Sequence, residues 1–178
     1  MDVYAWLLIA HLLGTVLAIG GATMIELHLT QALKDGKVSP DEGGMLALDY
    51  RAVRVGFAIS LLSGFGFLLL YQFTGQLFRL YDPVLWAKMF IIIIVGVNAL
   101  LLQAHKMSLY WGAALSFVSW WMIGLLGFFL TNGVKYNFLG DYSFFTSFMS
   151  VVVTFAVAVA VGAAVLHFIR SKVTMKKS

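Results

Sequence analysis

Five apolar stretches of about 20 residues or more occupy most of this chain, and a helix needs that length and composition to cross the hydrocarbon of a bilayer. They run from about Tyr4 to Leu29, Ala52 to Phe73, Leu85 to Ala104, Gly112 to Thr131 and Phe144 to Ile169. An amphipathic lead-in from Met45 precedes the second, and Asp82-Pro83 marks a turn and helix start before the third. The segment KDGKVSPDEGG, Lys34 to Gly44, reads as the main hydrophilic loop. The fold predicted is all-α: a polytopic transmembrane helical bundle of about five spanning helices.

Composition supports lipid as the main solvent. Only 11% of the 178 residues are charged and 61% are hydrophobic, whereas a soluble domain carries roughly 25% charged residues. Two prolines and no serine- or glycine-rich linker predict a single domain over residues 1–178. The absence of cysteine excludes disulfides, zinc–thiolate sites and thiol catalysis, so any redox chemistry would need a bound cofactor. The N-terminal apolar run lacks a preceding basic region and a clear cleavage site, and is read as a retained helix rather than a signal peptide.

The formal charge of +4 reports membrane topology rather than a nucleic-acid partner. Five spans place the termini on opposite sides. With the C-terminus cytoplasmic, that side holds Lys34, Lys37, Arg51, Arg54, Lys106, Arg170, Lys172, Lys176 and Lys177, against Arg79, Lys88 and Lys135 on the other. A split of nine to three predicts a protein of the inner (cytoplasmic) membrane with its N-terminus outside and its C-terminus inside. No internal repeat points to an inverted-repeat transporter.

Small residues mark the faces where membrane helices pack. On the first helix His11, Gly14, Ala18, Gly21, Ala22 and Glu26 form one stripe at spacings of three and four. Asp49, Gly56, Ser60, Ser63 and Gly64 do so on the second, Asn98 and His105 share a face of the third, and Ser147, Thr154, Ala158 and Gly162 line the fifth. Packing alone accounts for the glycines and alanines. An ionisable residue inside a span is a functional-site candidate by default, and His11 lies about two turns from the N-terminal edge of its helix. The alternative is a neutral histidine bonded to a hydroxyl or carbonyl.

Lys88 falls at a depth close to that of His11, where position alone favours snorkelling to the interface. Met89 and Met149 lie at similar depth, as soft ligands or as packing. At the other edge Glu26, Asp49, Arg54 and His105 are read as a polar cluster together with His28 and Arg51, most of it interfacial. Glu26 alone continues the buried stripe, with Arg54 or Arg51 to neutralise it. His28, about 100° around the helix from His11, and His167 are read as interfacial. His11 and His105 differ in depth by on the order of 20 Å and cannot ligate one haem, whose axial ligands share a level.

The string HLLGTVLAIGG with Glu26 at the helix end resembles the first helix of small bacterial membrane proteins related to copper-resistance protein D. That wider group includes the membrane protoporphyrinogen oxidases, which bind haem b, and the likeness is greatest to an uncharacterised branch of it. Asp49 before the second helix, Gly64 late in it, and the aromatic–lysine opening YDPVLWAKMF with Lys88 continue the pattern over about the first 100 residues. The resemblance implies a haem b site with His11 and Lys88 carried over. Where relatives place a second histidine nearer that lysine, this chain has Asn98; Trp120-Trp121 and the valine–alanine fifth span match no pattern of the group.

Three functions follow. The first is a b-type haem redox protein exchanging electrons with membrane quinol or a partner. In it His11 ligates iron, oriented by Thr15; Lys88 pairs with a propionate or ligates; and Met89 or Met149 is an alternative sixth ligand. Small residues beside His11 would make room for the macrocycle. The second is a cofactor-free accessory or assembly subunit of a larger membrane complex. The third is a small transporter using the buried charges as a proton relay.

Overall fold

The computed structural model describes residues 2–32, 38–131 and 143–175. Within them the chain forms helices α1 (Val3–Ala32), α2 (Pro40–Phe73), α3 (Leu77–Leu80), α4 (Pro83–Gln103), α5 (Leu109–Thr131) and α6 (Phe144–Met175). All but α3 are long and apolar enough to cross a membrane. The fold is therefore the all-α bundle the apolar stretches predict, with five candidate spans.

The largest departure is at the start of α2. Gly43 and Gly44, expected in the hydrophilic loop, are helical, because Ser39 and Glu42 close a reciprocal capping box. The Glu42 N–H donates to Ser39 Oγ at 3.3 Å and the Ser39 N–H to Glu42 Oε2 at 2.8 Å. With Pro40 at the first helical position, that box nucleates the helix well before its apolar part. The 34 residues of α2 exceed the hydrocarbon thickness at 1.5 Å per residue, so the segment before Ala52 extends the span.

At its other end α2 turns through Gly75, whose φ of +72° is a conformation that favours glycine. The short α3 follows. Asp82 Oδ1 accepts from the Val84 N–H at 2.8 Å to cap α4, and Trp86 Nε1–H donates to the Leu80 carbonyl at 2.8 Å, pinning α3 to α4.

Helix α5 lies at the centre, packed on α1, α4 and α6. Trp120, Ile123 and Leu126 from α5, Ile91 from α4 and Val151 from α6 are almost completely buried. The tightest pairing is α1 with α2. A Cβ added to Gly56 would lie 2.6 Å from both Ala18 N and Gly14 O, and one added to Gly14 would lie 2.7 Å from Ser60 N. The small-residue stripes of the two helices thus meet backbone to backbone.

Candidate functional site at His11 and Lys88

Close approach of α1 and α2 sets His11 against the second helix. Its Nδ1 lies 3.1 Å from the Ser60 carbonyl oxygen and 3.0 Å from Ser63 Oγ. A carbonyl can only accept, so Nδ1 carries the hydrogen. Ser63 spends its own hydrogen on the Ile59 carbonyl at 2.6 Å and is free to accept from the ring. That leaves Nε2 as an acceptor, and Lys88 Nζ is 3.3 Å from it.

Lys88 does not snorkel. It is 9% exposed and turns from the second turn of α4 into the bundle, its amine 3.5 Å from where a Cβ on Gly127 would sit. Among the described residues no carboxylate pairs with it; the ion pairs found are His28–Asp49 and Arg170–Glu26. His11 and Lys88 thus lie side by side, where position alone favoured a lysine reaching for the interface.

Thr15 plays a different part from the one expected. Its Oγ1 donates to the His11 backbone carbonyl at 2.8 Å and lies 3.1 Å from Ser60 Oγ, so Ser60 and Ser63, not Thr15, orient the imidazole. Ser60 and Ser63 were legible as a small-residue stripe, but nothing in their spacing assigned them to His11. Gly64 does belong to the site: a Cβ there would lie 3.6 Å from His11 Cε1, and the edge of the Phe67 ring closes the other flank.

A haem does not fit here. Both ring nitrogens of His11 are engaged, and the space shared by His11, Thr15, Ser60, Lys88 and Trp120 amounts to about 10 Å³, near the volume needed for one water. The glycine and alanine expected to leave room for a macrocycle are covered instead by the backbone of α2. Neither candidate methionine lines this space. Met89 faces an apolar groove between α2 and α4 of about 390 Å³, together with Phe65, Leu68 and Trp86. Met149 lies on α6, partly buried. No group of three metal-ligating His, Asp or Glu side chains occurs among the described residues.

The polar cluster at the opposite end is rearranged relative to expectation. Glu26 is buried, but its partner is Arg170, not Arg54 or Arg51. Arg170 donates from Nε at 3.0 Å and from Nη2 at 2.5 Å to Glu26 Oε1, and from Nη1 to the Tyr110 carbonyl at 2.9 Å. Its guanidinium also lies 4.1 Å from the centroid of the Tyr110 ring. Arg54 is exposed. Asp49 pairs with His28 across 2.6 Å. His105, read as sharing the face of Asn98 and as part of that cluster, is exposed just past the end of α4, with φ +55°. Asn98 takes the buried side instead, donating to the Gly112 carbonyl at 2.9 Å, because α5 turns back onto α4 one level before the helix ends. His167 is exposed and bonded to the Tyr110 hydroxyl at 2.7 Å.

Comparison with protein-family models, with curated proteins and with solved structures finds no match to this chain.

Proposed function

We propose that this chain is a small integral membrane protein that works through the His11–Lys88 pair, binding an oxygen-bearing membrane molecule and exchanging a proton with it. Membrane quinol is the partner of first choice. The space beside the pair holds about one water, so the quinol ring would stay outside it, and a hydroxyl proton would pass through that water to His11 Nε2, which accepts once Lys88 Nζ turns away. Electrons then belong to a cofactor-bearing partner subunit, so the chain acts as a proton-handling component of a redox complex. The observation that supports this is a buried amine with an imidazole beside it and no carboxylate among the described residues. An uncompensated cation is expensive at such a place, and membrane proteins keep intramembrane ionisable groups chiefly for function.

A structural lysine and a functional one differ in stability. Lys88→Met fills similar volume without charge, and is expected to leave the thermal midpoint in detergent unchanged or raised, as replacement of buried ionic groups by apolar ones often does. The same variant should weaken saturable quenching of tryptophan fluorescence by a short-chain quinone about tenfold or more, corresponding to about 1.4 kcal/mol. His11→Phe should do likewise, while His167→Ala should not. A large loss of stability in Lys88→Met, or unaltered quinone binding, would reject the proposal. A Soret band in the purified protein that disappears in His11→Ala would restore the haem reading in its place.

We infer from the charge split that the chain lies in the cytoplasmic membrane with its N-terminus outside. Arg51, Arg54, Lys106 and Lys172 lie toward the Glu26–Arg170 end of the bundle, and Arg79 toward the α3 end. Lys34, Lys37, Lys135, Lys176 and Lys177 lie outside the described residues. A reporter fused after Ser178 is expected to be active only in a cytoplasmic form; activity of a periplasmic reporter there would reverse the orientation.

A further inference from the structure

Hydrogen-bond donors outnumber acceptors around the space bordered by His11, Thr15, Ser60, Lys88 and Trp120. A lysine ammonium carries three N–H groups and an indole one, and neither group can accept. Among the described residues Lys88 Nζ reaches a single acceptor, His11 Nε2 at 3.3 Å. Trp120 is 1% exposed, and its Nε1–H has no partner. The hydroxyls at the space are already spent. Thr15 Oγ1 donates to the His11 carbonyl, which leaves it to accept from Ser60 Oγ.

We infer that this space is a binding site for one small monatomic anion, chloride in ordinary conditions, held by the Lys88 ammonium and the Trp120 indole N–H. A water there offers two lone pairs but brings two more donors. An anion brings acceptors alone, together with the counter-charge that no carboxylate among the described residues gives Lys88. Loss of the lysine proton would remove the charge but leave the indole unsatisfied, since no hydrogen bond joins Trp120 Nε1 to Lys88 Nζ. The space amounts to about 10 Å³, near that of one water. Chloride is only a little larger than water, and the flexible Lys88 stem can give way to it; sulfate and gluconate are far too large. The anion takes the position of the water in the quinol proton path and holds that path closed, yet its binding does not depend on the quinol reading.

Thermal unfolding of the detergent-purified chain, without quinone, tests this in sodium chloride, sodium gluconate and sodium sulfate at equal ionic strength. Chloride at about ten times its dissociation constant is expected to raise the midpoint by about 3 °C or more over gluconate or sulfate. Lys88→Met should abolish that difference, and Trp120→Phe, which keeps an aromatic ring but removes the N–H, should at least halve it. Arg79→Gln, which removes an exposed cation, should leave it intact. Chloride NMR supplies a reading on the unaltered chain: its line should broaden with added protein, and bromide should compete the broadening away. Equal midpoints in the three salts, a chloride shift that survives Lys88→Met, or chloride line widths indifferent to the protein would overturn the site. Quinone binding that proves absent while the chloride shift stands would reject the quinol reading alone.

Discussion

Glu26→Ala is expected to destabilise the protein by about 3–5 kcal/mol, the cost of leaving one partner of a buried ion pair behind. For a chain of this size that lowers the thermal midpoint by on the order of 10 °C. The reason is Arg170, which is only 2% exposed and has both Nε and Nη2 on the Glu26 carboxylate. Without Glu26 the guanidinium keeps the Tyr110 carbonyl and ring but loses its counter-charge. The bond also ties α1 to the ends of α5 and α6, so the loss should be felt in the whole bundle.

The comparison must use Asp41→Ala, an exposed residue, because Glu42 belongs to the capping box and its loss carries a cost of its own, about 1 kcal/mol. Asp41→Ala should change stability by less than about 0.5 kcal/mol. The double variant Glu26→Leu/Arg170→Met, removing both charges at once, should regain most of what Glu26→Ala loses. Thermal unfolding in detergent, followed by tryptophan fluorescence, measures all three. Equal midpoints for Glu26→Ala and Asp41→Ala would mean that water reaches the pair.

Two glycine substitutions are expected to act in opposite directions. A methyl at Gly56 would stand 2.6 Å from Ala18 N and Gly14 O. Those are backbone atoms of a neighbouring helix, which cannot rotate aside, so α1 and α2 must separate. Overpacking of this kind costs about 1–3 kcal/mol, and separation also pulls Ser60 and Ser63 from His11. At Gly20 on the same α1 nothing lies within 4 Å of the added Cβ. Gly20→Ala should instead stabilise by about 0.5–1 kcal/mol through helix propensity. The same unfolding measurement decides: a Gly56→Ala protein as stable as Gly20→Ala would remove the direct backbone contact between α1 and α2 from the account.

Much of this was legible in the residues. Apolar length alone located five spans, because a backbone with no water around it must satisfy its hydrogen bonds within a helix. Spacings of three and four identified the α1 and α2 faces that meet, since only small residues allow such an approach. Position gave His11 and Lys88 a common depth, but not that the lysine turns inward to meet the histidine. Other features were present as local signals that apolar length overrode: the capping box at Ser39 and Glu42 lay inside what read as a polar loop.

Partnerships between distant residues were decided by tertiary structure. Arg170 read as a terminal cytoplasmic charge, 144 positions from Glu26, and only the arrangement of α6 beside α5 brings the two together. His105 and Asn98 share a helical face in the sequence, yet α5 covers one and leaves the other to solvent or headgroups. The room for a macrocycle that glycine and alanine suggested around His11 is taken by the backbone of α2. Periodicity determines which side of a helix is small or polar; it carries no information about what fills the space opposite. That depends on which helix arrives there and how closely it packs, a property of the assembled bundle rather than of any one segment.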